Sequence, residues 1–134
     1  MVVARDDSFP IRTSSDVVRI RQEVRARAVE AGLGLVDQTK IVTAASELAR
    51  NTLTYGGGGT ARIQVVRDGP RRGVRLVFED QGPGIADIEL ALKDGYTTGG
   101  GLGLGLGGAK RLSNEFEIRS AAGEGTRVTI ARWR

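Results

Sequence analysis

Residues 74–88 read VRLVFEDQGPGIADI. Val74, Leu76 and Phe78 share one face of a two-residue alternation, the pattern of a half-buried strand, and the run stops at Asp80-Gln81-Gly82-Pro83-Gly84. Just upstream, Ala61, Ile63 and Val65 alternate in the same way, with Asp68-Gly69-Pro70 as turn material between the two runs. Two strands joined so closely must pair antiparallel, because a parallel pair needs a long crossover.

A second hairpin follows near the end, where Phe116 and Ile118 alternate, Ala121 to Gly125 turns the chain, and Val128 and Ile130 alternate again. Before the first hairpin lie two helical patterns. Ser15 offers an N-cap to a stripe of Val17, Ile20, Val24, Ala28 and Ala31 that Gly32 ends. After Asp37, a second stripe of Ile41, Ala44, Ala45, Leu48 and Ala49 runs to the glycines at 56–59. Ser8 to Thr13 reads as an opening strand, and Leu106 to Leu112 as a short helix. The expected architecture is α+β, a two-layer α/β sandwich with helices on one face of a mixed, mostly antiparallel sheet.

At 134 residues the chain is sized for one domain, expected to span 1–134. Aromatic residues make up only 4%, so the core must be built from Val, Ile, Leu and Ala. With no Cys and no His there is neither thiol nor imidazole chemistry, and no usual zinc site. The start, MVVARDDSFP, is too charged for a signal peptide, and no apolar run is long enough to span a membrane, which points to the cytoplasm. A net charge of +4 raises the question of nucleic acid, but the arginines are scattered and stacking aromatics are scarce. Neither a nucleic-acid nor a membrane partner is expected.

Three places carry candidate chemistry. Glu47 and Asn51 stand four apart on the second helix, hence on one face. Such a carboxylate and amide suit magnesium binding and proton acceptance, or form an ordinary solvated face. Asp80 at a strand exit suits an amine hydrogen bond, with Gly82 and Gly84 allowing close backbone approach to a flat ring, or the segment is a plain β-turn. The glycine-rich stretch 99–108 offers unhindered backbone N–H groups before a helix, an arrangement that favours phosphate, or it is a flexible linker, against which the leucine at every second position argues. Gly103, Gly105 and Gly108 satisfy G-x-G-x-x-G, but no apolar strand precedes them, so a dinucleotide fold does not fit. Lys110 is followed by Arg111, which excludes a Walker A loop. The arginines of the first helix, Arg19, Arg21, Arg25 and Arg27, form either a solvated face or a docking surface.

The order of these signals resembles the N, G1 and G2 boxes and the terminal Gly-Thr (Gly125-Thr126) of the GHKL ATPase and kinase superfamily, whose Bergerat fold the resemblance implies. Residues 37–51 (DQTKIVTAASELARN), 79–88 (EDQGPGIADI) and 94–112 (DGYTTGGGLGLGLGGAKRL) resemble the RsbT-type serine/threonine switch kinases. The resemblance implies Mg-ATP-dependent phosphorylation of STAS-domain partners in a bacterial stress-response partner switch. It also implies binding and activation of a PPM-type serine phosphatase. It assigns Glu47 as general base, Asn51 to the magnesium that bridges the ATP phosphates, and Asp80 to the adenine amino group. Gly82 and Gly84 go to the base, and Gly101, Leu102, Gly103, Leu104 and Gly105 to the phosphates. Thr126 supports the adenine contact. The sigma-binding SpoIIAB and RsbW cousins share the boxes, which makes an anti-sigma kinase the alternative, with a non-catalytic ATP-gated module as the other.

Overall fold

The computed structural model describes residues 1–93 and 105–134. Its elements run β1 (Val2–Ile11), α1 (Ser14–Glu30), α2 (Leu35–Thr54), β2 (Gly59–Asp68), β3 (Arg71–Asp80), α3 (Ile88–Ala91), α4 (Leu106–Arg111), β4 (Glu115–Ser120) and β5 (Thr126–Trp133). The strands form one sheet in the order β1-β2-β3-β5-β4. All four pairings are antiparallel, so the sheet has no parallel component among the described residues. Both hairpins stand where the alternation places them.

The helices cover one face. Ile20, Val24 and Ala28 of α1 and Ile41, Ala45 and Leu48 of α2 are sealed in one apolar cluster with Ile63, Leu76 and Ile130 of the sheet. The other face carries Arg62, Arg75, Glu117, Arg119 and Arg127 around Val77 and Thr129. The helix-facing side carries the alternation visible in the sequence, while on the other side Gln64, Val66, Val77 and Ala131 are buried as well. Among the described residues, no helix is long and apolar enough to cross a membrane.

Four boundaries differ from expectation. β1 starts at Val2, because its pairing with β2 continues from Ile11↔Gly59 to Val2↔Arg67. Its first half is charged, and those charges have partners: Asp6 pairs with Arg62, Asp7 with Arg27 and Arg5 with Glu30. The cap of α1 is Thr13 instead of Ser15. Asp16 stands three residues after Thr13, so the Thr13 hydroxyl accepts from Asp16 N (3.3 Å) while Asp16 Oδ2 accepts from Thr13 N (3.0 Å). Ser15 has Val18 at that spacing and cannot form the reciprocal pair. α2 begins at Leu35, which puts Asp37 in its first turn, where the helix dipole favours a carboxylate. α3 is a single turn that the aperiodic sequence after Gly82 conceals, capped by Asp87 Oδ1 accepting from Leu90 N (3.0 Å).

Candidate nucleotide site

At one end of the sheet Ile11, Gly59, Asp80 and Thr126 stand in register across β1, β2, β3 and β5. The C-terminal half of α2 lies over that end. Between them is a narrow cleft lined by Leu48, Asn51, Tyr55, Asp80, Leu106 and Thr126, among others. Its walls are mostly apolar with a few polar groups, the composition of a site that takes a flat ring and reads its edge.

Asp80 is 8% exposed and is one of the few buried polar residues. Its Oδ1 accepts from Gly82 N at 2.9 Å. Burial pushes the Asp80 carboxyl above its ordinary range, opposed by hydrogen bonds from the backbone N–H groups of Gly82 and Thr126. Such a carboxylate gains from any further donor that enters the cleft. The approach is close on the other side too, since a Cβ on Gly56 would overlap the Asp80 carboxyl.

Asn51 lies one turn before Tyr55, and its Nδ2 is buried without a partner. A buried amide left open costs about 1–3 kcal/mol unless something fills it. Oxygen and nitrogen of the amide exchange by a flip. The group can therefore donate to a phosphate oxygen or present its oxygen to a cation. Asn51, Asp80 and Thr126 thus share one cleft.

Glu47 is not among the cleft-lining residues and stands one turn earlier on the same face of α2. Its Oε1 accepts from Arg50 Nη1 at 3.2 Å, and both side chains are partly exposed. Its Oε2 packs on the backbone of Gly105, where an added Cβ would lie 2.5 Å away. Gly105 also has φ +64°, a left-handed backbone conformation that favours glycine there. The carboxylate therefore sits where the glycine-rich segment enters α4.

Gly82 and Gly84 act through the backbone. A Cβ on Gly82 would meet Gly56 Cα at 2.7 Å, and one on Gly84 would collide with the Ala121 carbonyl. Neither lines the cleft; they let the Asp80 loop lie flat against α2's end and the β4–β5 turn. Gly101, Leu102, Gly103 and Leu104 lie outside the described residues.

Several supporting residues escape a reading by motif. Tyr55 Oη donates to the Gly84 carbonyl (3.1 Å). Ser120 Oγ accepts from Ile85 N (2.8 Å), donates to the Gly125 carbonyl (2.7 Å) and stands 2.9 Å from Thr126 Oγ1. These bonds tie the loop after β3 to both neighbouring elements. Tyr55 follows Asn51 by four residues, a spacing that already puts it on the same face. Ser120 carries no local signal, because its partners are 35 residues away and at the next turn.

The family model of the histidine kinase-, DNA gyrase B- and HSP90-like ATPases matches residues 36–134. The chain is 50% identical over 123 residues to the serine/threonine-protein kinase RsbT of Bacillus subtilis, covering 92% of each. The RsbU and RsbW domains of a Mycobacterium tuberculosis protein superpose with a TM-score of 0.66 at 22% identity, covering 98% of this chain and 33% of that one. This chain thus spans about a third of that structure. The catalytic domain of histidine kinase ThkA gives a TM-score of 0.54 at 15% identity, covering 96% and 95%. Those two likenesses concern the fold, whereas the family match and the half-identical relative concern the chain itself. The chain belongs to the GHKL ATPases and, among them, to the RsbT-type serine/threonine protein kinases.

Proposed function

We propose that this kinase transfers the γ-phosphoryl group of Mg-ATP to a serine or threonine of a STAS-domain partner, and that it also binds and activates a PPM-type phosphatase in a stress-response switch. The observation that carries the kinase reading is the convergence of Asn51, Asp80 and Thr126 on one cleft, with Glu47 one helical turn away at its edge.

Within this reading Asp80 accepts from the adenine amino group, and the apolar wall of Leu48, Tyr55 and Leu106 excludes water from the base. Thr126 supports Asp80 through its backbone N–H. Glu47 accepts the proton of the attacking hydroxyl as the new P–O bond forms, and ADP leaves with the electrons of the broken bond. A base in that position supplies about 10²- to 10⁴-fold. The unpartnered amide of Asn51 fits magnesium as well as phosphate. Among the described residues no cluster of three or more acidic groups offers an all-protein cage, so the remaining ligands would be phosphate and water oxygens. Magnesium supplies charge neutralisation for phosphoryl transfer. Gly101, Leu102, Gly103, Leu104 and Gly105 are assigned to the phosphates.

The test is transfer of radiolabel from γ-labelled ATP to a purified STAS protein encoded beside this chain, with the partner's serines and threonines substituted in turn. Label on one hydroxyl, lost with Glu47→Ala, supports the reading. No label on any such partner, together with tight binding of a sigma factor, replaces it with the anti-sigma alternative. Stimulation of a purified PPM phosphatase by added kinase tests the second role independently.

A further inference from the structure

The exposed apolar side chains are not spread evenly. Of the eight large ones among the described residues, Met1, Val2, Val3, Val29, Leu35 and Val36 lie at the end of the molecule away from the cleft. Strand register fixes that placement: Val2↔Arg67 and Arg67↔Arg72 mark the far end of the sheet, whereas Gly59↔Asp80 and Asp80↔Thr126 mark the cleft end. The helices agree. α1 ends there, with Glu30 bound to Arg5 of β1, and α2 starts there and reaches Asn51 about 24 Å later at 1.5 Å per residue. Leu35 and Val36 are 73% and 67% exposed, and Val29 is 58% exposed. Side chains of this kind cover the surface of a pole that the fold does not bury.

The same pole is positively charged. Its carboxylates Asp7, Glu30, Asp37 and Asp68 are bound by Arg27, Arg5, Arg132 and Arg71, and Glu115 by the indole N–H of Trp133. Arg67, Arg72 and Arg134 are exposed and form no ion pair among the described residues, and Arg25 contacts only the amide of Gln38. These cations belong to the apolar patch. Arg134 N donates to the Arg72 carbonyl, and the Arg134 side chain lies about 3.4 Å from where a Cβ on Gly32 would stand, beside the α1–α2 corner.

From this juxtaposition we propose that the pole opposite the nucleotide cleft is a docking surface for a protein segment with apolar side chains flanked by carboxylates. The surface is independent of the kinase reading, since it shares no residue with the cleft. Two other occupants fit less well. A second copy in twofold contact would set the unpaired arginines against their own kind. An anionic membrane would be met without the interfacial aromatics such surfaces use, because Trp133 is buried beneath the Arg71 guanidinium.

The experiment uses the full chain and two fluorescent helical peptides of roughly 18 residues, about five turns. One carries leucines at helical spacing with glutamates between them; the other has the glutamates replaced by lysines. The acidic peptide is expected to raise anisotropy and the lysine peptide not to. Leu35→Glu with Val36→Glu, and separately Arg72→Glu with Arg134→Glu, are each expected to weaken acidic-peptide binding at least tenfold while ATP affinity stays unchanged. These positions are exposed, so folding is preserved. No binding of the acidic peptide, or binding unaffected by both double variants, overturns the proposal. So does sedimentation showing a dimer that the Leu35/Val36 variant dissolves, or binding to phosphatidylglycerol vesicles that it abolishes.

Discussion

Replacing Asp80 by Asn is expected to separate folding from ligand binding, because the buried carboxylate is a burden to the empty protein. Burial raises its proton affinity in the folded state above the ordinary value of 3.8. Folded protein therefore binds more protons than unfolded protein between that value and the raised one, and stability falls as pH rises through the window. The amide of the Asp80→Asn variant would keep an oxygen able to accept from Gly82 N, a bond of 2.9 Å in the present structure, and would carry no charge to desolvate. Gly82 N and Thr126 N would both bond a neutral oxygen less strongly, but the raised proton affinity of the carboxyl means that burial outweighs these bonds in the folded protein, so the balance favours the variant. A gain of about 1 kcal/mol would raise Tm by roughly 3–5 °C in a chain of this size.

Nucleotide affinity should move the opposite way. The carboxylate is assigned to the adenine amino group, and a hydrogen bond to a charged acceptor contributes about 1.5–3 kcal/mol, so its loss corresponds to roughly 10- to 150-fold in Kd. Melting curves with and without Mg-ATP, supported by titration calorimetry, read both effects. Wild type should melt below the variant without nucleotide and gain from added ATP by mass action; the variant should gain little. The difference without nucleotide should shrink as pH drops toward the ordinary carboxylate range, where the folded carboxyl takes its proton. A variant that melts below wild type without nucleotide and binds ATP equally well would refute both the burial argument and the site assignment.

Glu47→Gln should leave ATP affinity within about twofold and reduce phosphoryl transfer by about 10²- to 10⁴-fold, measured as single-turnover transfer to the partner. Gly84→Ala should destabilise by about 1–3 kcal/mol in urea melts, since the residue has φ +74° and its Cβ would collide with the Ala121 carbonyl. Thr13→Ala should cost about 0.5–2 kcal/mol by removing the α1 cap, with no change in nucleotide Kd, because Thr13 lies outside the cleft.

The hairpins were legible because every second residue of each strand faces the helices, so Ala61, Ile63 and Val65 write the core directly into the sequence, even though Val66 and Val77 on the opposite side are buried too. The first half of β1 was not, since its inward Arg5 and Asp7 meet Glu30 and Arg27 of α1 instead of apolar side chains. Capping by Thr13 could have been read from Asp16 three residues on. The glycines at 56–59 read as a simple helix stop, whereas Gly56 is also what permits Asp80 and Gly82 to come so near the end of α2. Tyr55 and Ser120 act through bonds to residues 29 and 35 positions away, and no local pattern announces such partners.

The strand order explains why distant motifs form one site. β3 and β5 are separated in sequence by a loop, two short helices and an edge strand, yet they are neighbours in the sheet, and Asp80 faces Thr126 directly. Their register cannot slip by one residue without turning Leu76, Phe78, Val128 and Ile130 out of the core, so core packing holds the two polar ends in place. α2 is fixed in the same way, because Ala44, Ala45, Leu48, Ala49 and Thr52 are all buried on its inner side. Asn51 and Glu47 therefore ride on an element that cannot rotate, one turn apart, at a fixed distance from Asp80. That rigidity suits the phosphoryl-transfer role proposed for these residues, since positioning carries most of the catalysis in such sites. It also gives a reason for the position of Gly105: its left-handed backbone, which favours glycine, brings the start of α4 against Glu47 on the same rigid frame.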